Sequence, residues 1–230
     1  MKIKLLITLL LLAGIMSLYA QDNCSKFYPM NEGVSMEYTN YNKKGKVEGV
    51  SSYKVIEANH NGDTTTATMS INLKDSKGKD VYSTSYNLTC KDNIVTLDYE
   101  SLLPTEMMEQ YGDMDIEISG NDIEIPNSLS VGQNLKDANV AMKISMSGIN
   151  MNMTVDMTNR KVEKKESVTT TSGTYDCFVL YSENRSKMMM ANQVYPSRVW
   201  LAEGVGMVKQ ETYKKNGDVM SSTLLTAHSK

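Results

Sequence analysis

The stretch Val140 to Val155, VAMKISMSGINMNMTV, decides the fold class of this chain. Apolar and polar residues alternate on both sides of Ser147-Gly148, and a two-residue loop between two such runs is typical of a β-hairpin. With this loop every apolar residue falls on one face, in the pairs Val140 with Val155, Met142 with Met153, Ile144 with Met151, and Met146 with Ile149. A slip of one residue would move each side chain to the opposite face, so the pattern predicts one hairpin with one buried side.

Three further two-residue loops give apolar faces in the same way. Lys44-Gly45 pairs Met36 with Tyr53 and Val34 with Val55, Lys77-Gly78 pairs Ile71 with Thr84 and Met69 with Tyr86, and Gly120-Asn121 pairs Ile118 with Ile123 and Ile116 with Ile125. The only helical pattern covers residues 101–110, where Pro104 suits a first turn. We therefore predict an all-β protein: a single curved antiparallel sheet, or half-open barrel, built from consecutive hairpins with one short helix at most. A sheet of roughly ten to thirteen strands exceeds the usual size and is expected to curl.

The N terminus predicts export from the cell. Two lysines precede an apolar run at residues 5–16, and Ala20 offers a small residue at the cleavage position. This layout indicates a signal peptide at residues 1–20, followed by one β-rich domain at residues 21–230. The periplasm is the expected compartment, with the cell surface or secretion as alternatives.

The apolar run at the N terminus is too short for a stable transmembrane span, and the chain has no second one. The polar residues 21–23 stand before Cys24 where a lipoprotein signal needs small apolar residues, so an unanchored protein is expected. The formal net charge of the whole chain is −3. This mild acidity argues against nucleic acid and against anionic membrane surfaces as partners.

The three cysteines, Cys24, Cys90 and Cys177, predict one disulfide and one free thiol in an oxidising compartment. Cys177 lies in the apolar run 175–180, where a buried thiol is common. The pattern therefore favours a Cys24–Cys90 disulfide and leaves the other pairings open.

The most distinctive sequence is residues 198–209, RVWLAEGVGMVK. Together with residues 173–177, residues 131–133 and the opening FYPMNEG at residues 27–33, it resembles the TapB-like family of exported Bacteroidetes proteins, or a related domain of unknown function. The resemblance covers nearly the whole chain after the signal peptide. It implies an extended, curved antiparallel sheet in the cell envelope, and it implies no reaction and no catalytic residues.

Methionine is unusually frequent, with 18 residues in the chain against two Phe and one Trp. Flexible thioethers suit an adaptable apolar groove, so we predict that a lipid-like ligand or a partner protein binds on the face formed by Met142, Ile144, Met146, Met151, Met153 and Val155. Two alternatives stay open: these residues fill a core that is poor in Phe and Trp, or Met151 and Met153 bind Cu(I). No cofactor and no metal site is predicted.

Motifs for catalysis are missing from the sequence. There is no Gly-x-Ser-x-Gly, no phosphate-binding loop and no Cys-x-x-Cys, and the two histidines have no evident partner. The acids between Asp113 and Glu124 are interpreted as a solvated face, with Glu117 opposite Glu124. We therefore predict a non-enzymatic exported envelope protein, with a hydrolase acting on cell-envelope material as the alternative.

Overall fold

A computed structural model describes residues 24–98, 115–146, 149–188 and 191–229. The signal peptide predicted at residues 1–20 and the helix predicted at residues 101–110 lie outside these ranges. Every regular element within them is a β-strand, and the thirteen strands are β1 (Ser35–Asn42), β2 (Val47–Asn61), β3 (Thr64–Asp75), β4 (Asp80–Lys91), β5 (Ile94–Leu97), β6 (Asp115–Asn121), β7 (Ile123–Pro126), β8 (Ala138–Met146), β9 (Ile149–Thr170), β10 (Gly173–Met188), β11 (Ala191–Ala202), β12 (Gly206–Tyr213) and β13 (Val219–Ser229). No helix in these ranges is long and apolar enough to cross a membrane.

The strands form one antiparallel sheet in the order β6-β8-β9-β10-β11-β12-β13-β1-β2-β3-β4-β5-β7. Two runs of consecutive hairpins, β1 to β5 and β8 to β13, are joined because β13 pairs with β1. The sheet curls into a nearly closed, barrel-shaped roll with one unsealed seam. The predicted fold class, a single curved antiparallel sheet in half-open form, is confirmed.

The main core lies on the inner side of the roll. Its fully buried members come from strands far apart in the sequence, including Val55, Leu88, Val179, Val208 and Leu225. On each strand they alternate with polar residues, because successive side chains of a strand point to opposite faces.

Strand β10 is buried on both faces. Cys177 and Val179 belong to the main core, whereas Phe178 and Leu180 belong to a second cluster on the other side of the sheet. The second cluster is completed by Phe27, Leu135, Ile125, Val162 and Leu201. Residues 177–180 of β10 are therefore covered on both faces of the sheet.

Three of the four predicted hairpins are confirmed. The pairs Met36 with Tyr53, Ile71 with Thr84, and Met142 with Met153 occur in the register that the two-residue loops predict. In the first two hairpins the register shifts by one residue next to the turn, and beyond that shift the pairs are those predicted from the sequence.

The hairpin predicted at Gly120-Asn121 is wrong. Ile118 pairs with Met142 on β8, and Ile123 pairs with Leu97 on β5, at opposite ends of the sheet order. Gly120 lies inside β6, where a Cβ atom would come within 2.2 Å of the carbonyl oxygen of Asn139. This glycine permits a close approach between strands and does not make a turn.

Candidate functional site

The predicted ligand-binding face lies next to the seam of the roll, where the two edges of the sheet come together. Among the described strands, β6 and β7 are the two outermost of the sheet, yet only Asp122 separates them in the sequence. The chain therefore crosses the seam in one step, and the first half of the segment pairs with β8 while the second half pairs with β5.

A buried arginine connects the two sides of the seam. The guanidinium of Arg160 donates hydrogen bonds to the carbonyl oxygens of Lys136 and Glu124, the latter at 3.2 Å, and the Lys136 ammonium pairs with the Glu124 carboxylate. Arg160 is 7% exposed and follows Asn159, whose φ is 54° at a shift in the β9–β10 register. An irregularity of this kind re-aims a side chain, and here it turns Arg160 towards β7.

The N-terminal segment of the described chain closes one end of the roll. Cys24 forms a disulfide with Cys90 at the end of β4, which confirms the favoured pairing. Two residues later, the Lys26 amide donates to Asn127 Oδ1 at 2.8 Å, and the Lys26 carbonyl accepts from the Gly204 amide at 2.8 Å. The segment thus ties β4 to the end of β7 and to the β11–β12 turn, with Phe27 completely buried.

The predicted methionine-rich face lies on β8 and β9, next to the seam. The register places positions 140, 142 and 144 opposite positions 155, 153 and 151, as expected from the sequence. Through β9 and β10 these positions share a face with Val162 and Leu180 of the second apolar cluster. Five of the six predicted site residues have side chains outside the described part of the structure (Met142, Ile144, Met146, Met151 and Met153), so the site itself stays a prediction.

The burial of this face decreases along β9. Val162 is completely buried under the second cluster, whereas Met157 and Val155, nearer the β8–β9 turn, are only partly buried. Phe27, Ile125 and Leu135, which lie outside β8 to β10, belong to the same buried cluster as Val162. The cover therefore thins before the face reaches the positions predicted to bind a ligand.

A cavity of about 700 Å³ adjoins the seam on the polar side of β9 to β11. Within it the Arg198 guanidinium donates two hydrogen bonds to Glu163, at 2.5 and 2.9 Å, and lies 5.4 Å from the centroid of the Tyr181 ring. The hydrogen bond from Arg198 holds the pKa of the Glu163 carboxyl below its ordinary value. Of the charged residues that line this cavity, Arg198 and Glu163 are paired with each other.

Three other titratable groups, Glu166, Cys177 and Tyr28, also have clear pKa shifts. Hydrogen bonds from Lys164 and from the Trp200 indole lower the pKa of Glu166. Burial raises the pKa of the Cys177 thiol to about 11, and this residue is the buried free cysteine expected from the sequence. Burial also raises the pKa of Tyr28 to about 12. A general acid would need a raised carboxyl pKa, and a nucleophile would need a lowered thiol pKa.

Two acidic residues near the seam, Glu117 and Glu124, each pair with a lysine. Glu117 pairs with Lys143 at 3.1 Å, whereas Glu124 lies on the opposite edge strand and pairs with Lys136, so the expected opposition of Glu117 and Glu124 is wrong. Among the described residues, no group of three or more His, Cys, Asp or Glu side chains could hold a metal ion.

Comparison with solved structures finds the same roll in other bacterial proteins. A candidate exported protein with a YmcC-like fold from Bacteroides fragilis superposes with a TM-score of 0.72 at 18% identity, over 90% of this chain and all of that chain. A candidate lipoprotein from Parabacteroides distasonis superposes with a TM-score of 0.70 at 24% identity, over the same shares. At these identities the likeness is one of fold. No curated protein matches the chain.

The family is settled by a match over most of the sequence. The family model that matches is DUF3108-like, and it spans residues 31–225, from just before β1 into β13. The narrower TapB-like resemblance stays a prediction. On the extent of this match, the chain belongs to the DUF3108-like family.

Proposed function

We propose that the protein is a non-enzymatic exported protein of the cell envelope that holds a lipid-like ligand or a partner protein on its methionine-rich face. The observation that carries this proposal is the loss of cover along β9. The face continues past the buried Val162 to the partly buried Met157 and Val155, and then to the positions of the β8–β9 hairpin. An apolar face whose described residues become less buried towards one end of a strand is a suitable surface for a ligand or partner.

The chemistry of the described side chains supports binding over catalysis. Glu163 and Glu166 are held as carboxylates by their cationic and indole partners, and the Cys177 thiol is 2% exposed. A hydrolase acting on envelope material would need a protonated acid or an accessible nucleophile. The exported location rests on the signal-peptide pattern, and the fold shared with a candidate exported protein agrees with it.

Native mass spectrometry of the protein purified from its host tests the proposal directly. We expect an added mass that matches a lipid, or a crosslinked partner whose attachment maps to β8 or β9. A bare protein mass combined with no crosslinked partner would refute the assigned function.

A matched pair of double variants on the same hairpin tests the position of the site. Met151→Ser with Met153→Ser removes two thioethers from the apolar face, whereas Asn150→Ser with Asn152→Ser changes the opposite face. Binding of the fluorescent fatty acid cis-parinaric acid should weaken roughly 100-fold or more in the methionine variant, because burying each of the two apolar side chains contributes about 1.5–3 kcal/mol. Equal binding by the two variants would place the ligand elsewhere.

A further inference from the structure

Three neighbouring hairpin turns lie at one end of the roll. They are the turns after β12, β1 and β3, and these strands run in the same direction because one antiparallel strand separates each from the next. The end in question is opposite the end that the Cys24–Cys90 disulfide closes. We name it the lysine end and define it as residues 42–48, 74–81 and 214–219.

The three turns share one backbone geometry. In each, a glycine amide donates to the carbonyl three residues earlier, at 2.8 Å for Gly45, 3.0 Å for Gly78 and 2.9 Å for Gly217. In the first two turns, a side chain of the turn also accepts hydrogen bonds from the turn's own backbone. Asn42 Oδ1 and Asp75 Oδ1 each accept two backbone N–H groups of their own turn. The turns are therefore rigid supports that present their remaining side chains outward.

Lysine dominates those side chains. The lysine end contains eight lysines and four acids, a surplus of four positive charges in a chain whose formal net charge is −3. Only one ion pair links an acid of this end to a lysine in the described structure, Lys214 with Asp218 at 3.9 Å. The net charge of the whole chain is negative, and this argued against anionic partners, but the net charge of the lysine end is positive.

Each of the three turns is followed by an exposed valine. Val47 is 44% exposed, Val81 is 60% exposed and Val219 is 38% exposed, and they account for three of the five large apolar residues exposed in the described structure. Two of them are the first residues of β2 and β13, and the third is the second residue of β4. Apolar side chains therefore lie beside the ammonium groups on the same end.

A depression between two of the turns adds room for a headgroup. It has a volume of about 470 Å³ and lies between the β1–β2 turn and β13. Three lysines line it, Lys43, Lys44 and Lys46, against one acid, Glu48, and Met220 provides an apolar wall. An anionic group with an apolar neighbour fits this combination.

We propose that the lysine end docks the protein onto the surface of an anionic phospholipid bilayer. The ammonium groups meet the lipid phosphates, and the three valines enter the boundary between headgroups and acyl chains. Lysines on flexible stems suit a field of phosphates, whereas one defined phosphate ligand is more often bound by the planar fork of arginine. The valines distinguish a bilayer from a soluble polyanion, because only a bilayer offers them an apolar phase.

Vesicle co-sedimentation tests the proposal with charge-matched variants. Lys44→Gln with Lys77→Gln removes two charges from the lysine end, and Lys54→Gln with Lys91→Gln removes two exposed lysines from elsewhere. Vesicles with about a third phosphatidylglycerol should bind the wild type, and vesicles of phosphatidylcholine alone should not. Each lysine near an anionic surface contributes roughly fivefold in affinity, so the first variant should lose about 25-fold and the control variant little. Equal losses in both variants would overturn the proposal.

A second variant separates a bilayer from a soluble anion. Val47→Ser, Val81→Ser and Val219→Ser together should weaken vesicle binding while leaving the affinity for soluble polyphosphate unchanged. Vesicle binding that survives this variant intact, at an affinity no better than that for polyphosphate, would show that the lysine end binds soluble anions and would refute membrane docking. Neither experiment involves the methionine-rich face, so each proposal can fail alone.

Discussion

Removal of the Cys24–Cys90 disulfide should cost this protein a large share of its stability. The bridge spans 66 residues of sequence and fixes the N-terminal segment across the end of the roll. In the chain-entropy account, closing a loop of this length in the unfolded state contributes about 4 kcal/mol at 25 °C. Cys24→Ser with Cys90→Ser should lose about this amount of free energy of unfolding.

Urea unfolding followed by tryptophan fluorescence measures the loss. The chain has one tryptophan, Trp200, and it is 4% exposed in the main core, so its emission reports on the folded roll. With a urea dependence of about 2 kcal/mol/M, the midpoint should fall by roughly 2 M. Cys177→Ala serves as the control, since it removes the free thiol and keeps the bridge.

Reduction provides an independent check on the same prediction. Dithiothreitol should lower the midpoint of the wild type and of Cys177→Ala, and it should leave the double serine variant unchanged. A reduced wild type that unfolds at the same urea concentration as the oxidised protein would refute the argument that this bridge constrains the unfolded chain.

Three further predictions concern the seam and its neighbourhood. Arg160→Leu should destabilise the protein by about 2–4 kcal/mol in urea unfolding, because the carbonyls of Lys136 and Glu124 lose their buried donor; a loss under about 0.5 kcal/mol would contradict its role at the seam. Val162→Ala should cost about 2 kcal/mol and Val155→Ala less than about 1 kcal/mol, since only the first is completely buried, and equal costs would mean that the methionine-rich face is covered. Glu163 has a lowered pKa in the folded protein, so its pair with Arg198 stabilises the fold above the unfolded pKa of about 4.3 and is lost as the pH falls through the folded value. Because both partners are 29% exposed, Glu163→Gln should remove only about 1 kcal/mol at pH 7 and flatten the acid side of the stability profile, and an unchanged profile would contradict this account.

Local pairing was predictable from the sequence, and long-range pairing was not. The register around Ser147-Gly148 follows from alternation and loop length alone, and it occurs as expected. The pairing of β13 with β1 joins residues at the two ends of the domain, and no local pattern specifies it. The misread segment at Gly120 illustrates the same difference, because a glycine needed for contact with another strand looks like a turn glycine when only its neighbours are considered.

The candidate site could be predicted only in part. Alternation placed the apolar positions of β8 and β9 on one face, and the register agrees. Arg160 was missed, since its importance comes from a register shift at Asn159 that brings it to a distant strand. The lysine end was also missed, because a net charge sums over the whole chain whereas three turns become neighbours only after the sheet forms.

The pairing of β1 with β13 means that the sheet can be completed only when the last strand of the chain is available. Ser35 meets Ser229, and 194 positions separate the two partners. If the chain is exported with its N terminus first, the two hairpin runs can therefore join only after β13 has crossed the membrane. Folding dominated by such distant contacts is slow, and the growing chain meanwhile exposes an unpaired strand edge. We expect a dependence on chaperones during delivery, and a chain shortened before residue 219 should accumulate as an aggregate.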